Sequence, residues 1–455
     1  MCISLMLGLV YGQEAFPLLE DWLEETSDTA ARQPLQAAWP LLPSTGKDAS
    51  NQSPVHPVVL VPGYMGSQLR YSLDKETSSS FVCSKSTNGR FYTLWLTLAN
   101  HDPVHVNCWI QNAGMSYDKS ARQTNSEPGV TVQPKAFGST SGVEFVSPLP
   151  EQHPETMYFY NLVRTLELIG YKKDVSVRGA PYDWRKAYHE NTEFQTRFKD
   201  LVEDSYADNS EKPVVVICHS MGCTFTYTFL LSMPADWKAK YIKSWIVIGA
   251  PLGGTFKYMY GYFADDDYPM IPGVRTVERT LSSRTFLLPR PATYGDDVLV
   301  QSSSRNYTAS DYLPFFQDLN MTDAYEMYLD TKDTYDDRNF TSPGDFPIIC
   351  MGGVGQMTLQ KAVIAGDLAP GTRWTPVYGD GDKFVNVKSM RRCQDFGSGG
   401  TDFQFIEYRM DHMDLIKAPE PIAFITRTLN GYNDRKYRGK STLSIWPFAS
   451  SFVPL

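Results

Sequence analysis

VVVICHSMGCTFTYTFL, residues 214–230, is the stretch whose reading decides the fold. The run Val214–Cys218 has the length and β-branched composition of a strand buried on both faces. His219-Ser220-Met221-Gly222 interrupts it, and apolar residues then resume at helical spacing. A serine therefore stands at the corner between a strand and a helix. There a tight turn lifts its hydroxyl above the sheet edge, and the helix N-terminus aims amide N–H groups at any anion formed beside it. Small neighbours are needed in such a turn; Gly222 is one, and Cys218 stands where a glycine is usual. An unremarkable serine in a strand-to-helix turn has the same local sequence, so partners elsewhere must decide.

Outward from this corner the same rhythm repeats. HPVVLVPGYMGSQL, residues 56–69, reads as a strand ending in a Pro-Gly turn; MYFYNLVRTLELIG reads as a helix, and DVSVRGAPYDWR, a helix near 192–206 and SWIVIGAP continue the alternation. After an irregular stretch it returns at FPIICMGGVG, TPVYGDGDKF, FQFIEYRMDHMDL and a last helix to about 430. Repeated strand–helix–strand units with continuously apolar strands predict a mostly parallel sheet covered by helices on both faces, an α/β-hydrolase fold. The expected organisation is a signal peptide over 1–12, a mobile extension over 13–54, a catalytic domain over 55–430 and a tail over 431–455. Two insertions are expected within the domain, 83–108 bounded by cysteines and 255–340 as a cap.

Bulk properties agree with one large domain carrying insertions. At roughly 150 residues per domain, 455 residues allow about three units, or one elaborated core. A composition 42% hydrophobic and 20% charged is that of a globular protein. The net charge of −9, with scattered Lys and Arg, argues against a nucleic-acid partner. Ile3–Val10 is an apolar run too short to span a bilayer and fits a secretory signal lacking a leading basic residue. Export agrees with the sequons at Asn306, Asn320 and Asn339, and with a poorer one at Asn51. Cys83, Cys108, Cys350 and Cys393 are candidates for disulfides in three possible connectivities. Cys218 and Cys223 read as buried small hydrophobes, and Cys2 falls in the signal.

A serine nucleophile needs a base, and the base needs a carboxylate to orient it. In this fold the chain order is Ser, then Asp or Glu, then His. His56, His101, His105, His153, His189 and His219 all precede Ser220, which leaves His412. The carboxylate should leave a strand before His412, and TPVYGDGDKF offers Asp380 and Asp382 without separating them. An oxyanion hole needs two amides. Met221 N–H is fixed by the corner itself, and the VPGYMG loop is the natural source of the second, with Met65 the expected donor.

Taken together, VVLVPGYMGSQL, CWIQN, VRGAPYDWRKA, HSMG, GAPLGGT, YGDGD and the His412 segment resemble the lecithin:cholesterol acyltransferase and lysosomal phospholipase A2 family over about His56–Leu429. NYTASDYLPFFQDL and GAPYDWRKA lean toward the lysosomal branch. The resemblance implies Ser220 as nucleophile, Asp382 as the orienting carboxylate, His412 as base, Met65 and Met221 as oxyanion donors, and the pairings Cys83–Cys108 and Cys350–Cys393. One departure is Tyr64, where the lysosomal branch has an acidic residue and the transferase branch a cysteine. An acidic working pH is therefore not implied.

Phe91, Leu94, Trp95 and Leu98 fall at i, i+3, i+4 and i+7, the spacing of one apolar helix face. Such a stripe usually packs into a core; within the cysteine-bounded insertion it also resembles the family's membrane-docking element. The implied activity is transfer of a phospholipid acyl chain through acyl-Ser220 to water or a lipid alcohol, at a membrane or lipoprotein surface, in the lysosome or after secretion. No metal or cofactor is expected. The competing readings are a catalytically silent lipid-binding glycoprotein and a soluble esterase of the same fold.

Overall fold

Six strands line up side by side as the central sheet of the computed structural model, which describes residues 55–78, 80–97, 103–147, 154–265, 272–335 and 340–433. They are β1 (Val58–Val61), β2 (Val177–Gly179), β3 (Val214–His219), β4 (Ile242–Ile248), β5 (Ile348–Gly353) and β6 (Phe403–Tyr408). Every neighbouring pair is parallel. The order across the sheet is β6-β5-β4-β3-β1-β2.

Because β1, β3 and β5 are buried along their whole length, alternate residues enter two different cores. Val58, Leu60, Val215 and Ile217 meet α1 (Tyr160–Leu168) and α4 (Pro419–Asn433) through Leu162, Leu166, Ile422 and Ile425. On the other face Val59, Val61, Val216 and Trp245 meet α2 (Thr192–Asp208) and α3 (Met221–Ser232) through Phe198, Val202, Phe225 and Phe229. All of Met221–Leu230 is buried, and the threonines in it avoid orphaned hydroxyls by bonding back to the helix: Thr224 to Met221 O at 2.7 Å and Thr228 to Thr224 O at 2.9 Å. A third cluster, built around Tyr262, Phe315 and Phe316, packs the segment that follows β4.

The topology selects the position of the site. From β1 the chain moves outward to β2, then returns past β1 to lay down β3 and continues in the opposite direction. That reversal opens a crevice between the carboxyl ends of β1 and β3. Val61 pairs with Cys218, so the Pro62–Gly66 loop and the His219–Gly222 corner leave the sheet side by side.

The disulfide-closed segment departs from the expected helix. Tyr92–Trp95 is a strand, antiparallel to Leu69–Leu73. The i, i+3, i+4 coincidence is overridden by the strand preference of Phe-Tyr-Thr-Leu-Trp and by that pairing. Leu94 and Trp95 are buried, Phe91 is exposed, and Leu98 lies outside the described residues. Among the described residues, the helix at this end of the segment is Val106–Ala113, which begins before Cys108 and runs past it. Disulfides join Cys83 to Cys108 and Cys350 to Cys393. A third joins Cys218 to Cys223, which corrects their reading as separate buried thiols: the sharp corner brings their Cα atoms within 4.9 Å, in bridging range. Residues 1–54 and 434–455, which include the expected signal, extension and nearly all of the tail, lie outside the described residues, as does Asn339. Asn306 and Asn320 are exposed.

Candidate active site

Ser220 occupies the corner at φ 54° and ψ −128°, a backbone region that non-glycine residues rarely hold. Its amide donates to Ile248 O at 2.8 Å, and Cys223 N–H donates to Ser220 O at 2.9 Å, so both strand β4 and helix α3 fix the turn. Glycine is required around it for space. A Cβ on Gly222 would stand 2.3 Å from Pro62 O, and one on Gly63 would stand 2.6 Å from the Ser220 Cβ. The Pro62–Gly66 loop therefore packs directly onto the serine.

His412 follows β6 in a loop and is 5% exposed. Its Nδ1 lies 2.6 Å from Asp382 Oδ2, and its own amide donates to the Asp382 carbonyl at 2.9 Å. Asp382 is fully buried, and its Oδ1 accepts from the amides of Phe384 at 3.0 Å and Val385 at 2.7 Å. With Oδ1 occupied in this way, Oδ2 is directed at the imidazole. The Phe384 ring stacks on His412 at 5.3 Å. Opposite, a Cβ on Gly249 would come within 3.1 Å of His412 Cε1 and Nδ1, so only glycine lets the ring lie against the residue that follows Ile248. Since Ile248 O holds the Ser220 amide, His412 and Ser220 meet at the same end of β4. The two aspartates that sequence left unseparated are now distinct: Asp380 is exposed and accepts from Gly355 N–H at 2.6 Å.

Met65 has φ 59°, and its carbonyl accepts from Trp95 Nε1 at 2.9 Å. Trp95, expected to face lipid, thus braces the loop that faces Ser220. Met221 is the first residue of α3, where a helix leaves its N–H without an internal acceptor. Tyr64 sits edge-on between Trp184 and Tyr258, each at 5.3 Å, and its hydroxyl donates to Glu278 Oε1 at 3.4 Å. Glu278 Oε2 is bound at 2.6 Å by both Arg275 and Arg284 in a cluster at most 6% exposed. A carboxylate far along the chain thus reaches the loop position where the resemblance implied an acid or a cysteine.

The lecithin:cholesterol acyltransferase family model matches residues 91–342. Human lysosomal phospholipase A and acyltransferase is 35% identical over 384 residues, covering 82% of this chain and 90% of that protein. This chain belongs to the lecithin:cholesterol acyltransferase family. Mouse phosphatidylcholine-sterol acyltransferase is 31% identical over 396 residues, covering 86% and 88% of the two chains.

For a member of the lecithin:cholesterol acyltransferase family, the site holds two side chains that sequence reasoning missed, Tyr158 and His219. Tyr158 Oη accepts from Gly63 N–H at 2.8 Å and lies 2.5 Å from His219 Nδ1. His219 was visible as the neighbour of Ser220, but Tyr158 lies 61 residues away in an ordinary amphipathic segment. No group of three or more His, Cys, Asp or Glu able to hold a metal ion is found among the described residues. None of their helices is long and apolar enough to cross a membrane.

Proposed function

We propose that this chain is a serine-dependent phospholipase A and lipid O-acyltransferase. The observation that carries the reading is the placement of a buried Asp382–His412 pair against Gly249, beside a serine held at a strained corner. The names borne by the relatives fit the same chemistry.

In the first half-reaction His412 takes the Ser220 proton and Oγ attacks the phospholipid ester carbonyl. The oxyanion is stabilised by the Met65 and Met221 amides. The C–O bond to glycerol then breaks, with His412 returning the proton to the departing lysophospholipid oxygen. In the second, water or a lipid alcohol loses its proton to His412 and attacks acyl-Ser220, releasing fatty acid or an ester and restoring the serine. Asp382 holds the imidazole in the tautomer that presents Nε2 to Ser220. Every step is proton and acyl transfer, so the chemistry calls for no metal or redox cofactor.

Contact with a lipid surface is assigned to the exposed side chains of the disulfide-closed segment and its flank, Phe81, Phe91, Tyr92 and Val104, in place of Leu94 and Trp95. Sequons at the exposed Asn306 and Asn320, together with the three disulfides, fit a lysosomal or secreted enzyme. The test is labelling of purified protein with a fluorophosphonate followed by peptide mapping. The expected result is a single adduct on Ser220 that is lost in His412→Ala. An unlabelled wild type that still binds phosphatidylcholine vesicles would favour the silent lipid-binding reading instead.

A further inference from the structure

A line of buried hydrogen bonds joins the Pro62–Gly66 loop, which packs on Ser220, to the loop that carries His412. Gly63 N–H meets Tyr158 Oη at 2.8 Å, Tyr158 Oη meets His219 Nδ1 at 2.5 Å, and His219 Nε2 meets the His412 carbonyl at 3.1 Å. Tyr158 is 3% exposed and His219 1%, so water does not compete for these groups.

The chemistry of the end groups gives the line one direction. The Gly63 amide has only a proton to offer, so the phenol oxygen accepts there and its own proton points at His219 Nδ1. That nitrogen is then the unprotonated one, and a neutral imidazole carries its single proton on Nε2. Nε2–H in turn donates to the His412 carbonyl, which can only accept. Burial, with His412 and Lys417 beside it, holds the His219 pKa well below the ordinary imidazole value, so the neutral form is the stable one. Burial likewise raises the Tyr158 pKa, against the opposing effect of the Gly63 amide, so the phenol keeps its proton.

A satisfied core histidine accounts for burial but not for where the line ends. One end is the peptide two residues before Met65, and the other is the backbone of His412. The Tyr158 ring also forms the floor of the Pro62–Gly66 loop: a Cβ on Gly63 would stand 2.9 Å from its oxygen, and one on Gly66 would stand 2.7 Å from its Cζ. His219 lies against the His412 ring with centroids 4.5 Å apart. We propose that Tyr158 and His219 are positioning residues that hold the oxyanion loop and the base loop in register across Ser220. This rests on the reading of Ser220 and His412 as nucleophile and base. Placement matters because an oxyanion donor acts only near the position the oxyanion will take, and a misplacement of about 1 Å can cost on the order of 100-fold.

The test compares the purified full chain with Tyr158→Phe, His219→Gln, His219→Leu and the double variant Tyr158→Phe/His219→Leu. Fatty acid release from phosphatidylcholine vesicles, the rate of fluorophosphonate labelling and the thermal midpoint are measured for each. Tyr158→Phe removes both the bond from Gly63 N–H and the bond to His219 Nδ1, and should lower kcat about tenfold, about 1.4 kcal/mol in the barrier, with KM nearly unchanged. The labelling rate should fall by a similar factor. Gln accepts from Tyr158 and donates toward His412, so His219→Gln should keep several-fold more activity than His219→Leu. The double variant should be no slower than His219→Leu alone.

Wild-type kinetics in Tyr158→Phe would overturn the proposal. So would a His219→Gln variant that folds but is no faster than His219→Leu. If Tyr158→Phe does not fold, the Gln against Leu comparison decides. A wild type that labels at Ser220 but releases no fatty acid overturns the phospholipid reading alone, and the labelling rates then decide the positioning role.

Discussion

His412 meets Asp382 twice, through its Nδ1 at 2.6 Å and through its backbone amide at 2.9 Å. The side-chain contact sets the tautomer and the backbone contact sets the loop. Asp382→Asn should therefore preserve the fold while removing the acceptor that orients the ring, and kcat should fall by about 10⁴, the size seen when a serine hydrolase loses this carboxylate. Asp380→Asn, altering an exposed side chain that accepts from Gly355 N–H, should leave kcat within about twofold. Steady-state kinetics on both variants check the assignment; equal losses would contradict it.

Gly63 carries a prediction about activity more than stability. A methyl group there collides with the Ser220 Cβ and with Tyr158 Oη. Gly63→Ala should push the Pro62–Gly66 loop away from the serine, lowering fluorophosphonate labelling at Ser220 by on the order of 100-fold. The comparison is with Gly366→Ala, a glycine where an added Cβ meets nothing within 4 Å. That variant should label at the wild-type rate.

Glu278 is the carboxylate shared by two buried guanidinium groups, Arg275 and Arg284. Removing one partner of a buried ionic cluster leaves charge without compensation, and such changes typically cost about 3–5 kcal/mol. Glu278→Ala should lower the urea midpoint accordingly. Tyr64→Phe, which removes the 3.4 Å bond to Glu278 while keeping the ring between Trp184 and Tyr258, should lower it far less. Equal effects would show that the cluster stabilises chiefly through the Tyr64 contact.

His219 links stability to pH. Its folded pKa is depressed by burial and by His412 and Lys417, while in the unfolded chain it titrates near 6.5. Below about pH 6.5 the unfolded state therefore binds one proton more than the folded state, and stability falls by about 1.4 kcal/mol per pH unit on this account. His219→Gln removes that dependence. Urea unfolding at pH 7.5, 6.0 and 5.0 should show wild-type stability declining relative to the variant, with the difference growing as pH falls. Parallel curves would mean that His219 is protonated in the folded protein.

Much of the site was legible because its constraints are local or ordinal. The apolar run before Ser220 and the helical pattern after it define the corner, and chain order leaves His412 as the one histidine beyond it. Pattern and chain order alone left Asp380 and Asp382 unseparated, because two residues on a strand end differ only in what later folds against each; the family resemblance was what implied Asp382. The Phe91–Trp95 stripe misled because a short aromatic segment satisfies both periods, and pairing with Leu69–Leu73 decides between them. Tyr158 was invisible for another reason. Its role depends on contacts to Gly63 and His219, which lie 95 and 61 residues away and leave no mark on its own neighbourhood.

The most direct test of the central claim is product analysis by mass spectrometry. Wild type and Ser220→Ala would be incubated with phosphatidylcholine vesicles containing a long-chain alcohol or sterol, at about pH 4.5 and 7.5. The account predicts lysophospholipid together with free fatty acid or acylated alcohol, at one pH or both, only when Ser220 is present. Vesicle binding without any of these products at either pH, or equal product from Ser220→Ala, would contradict it.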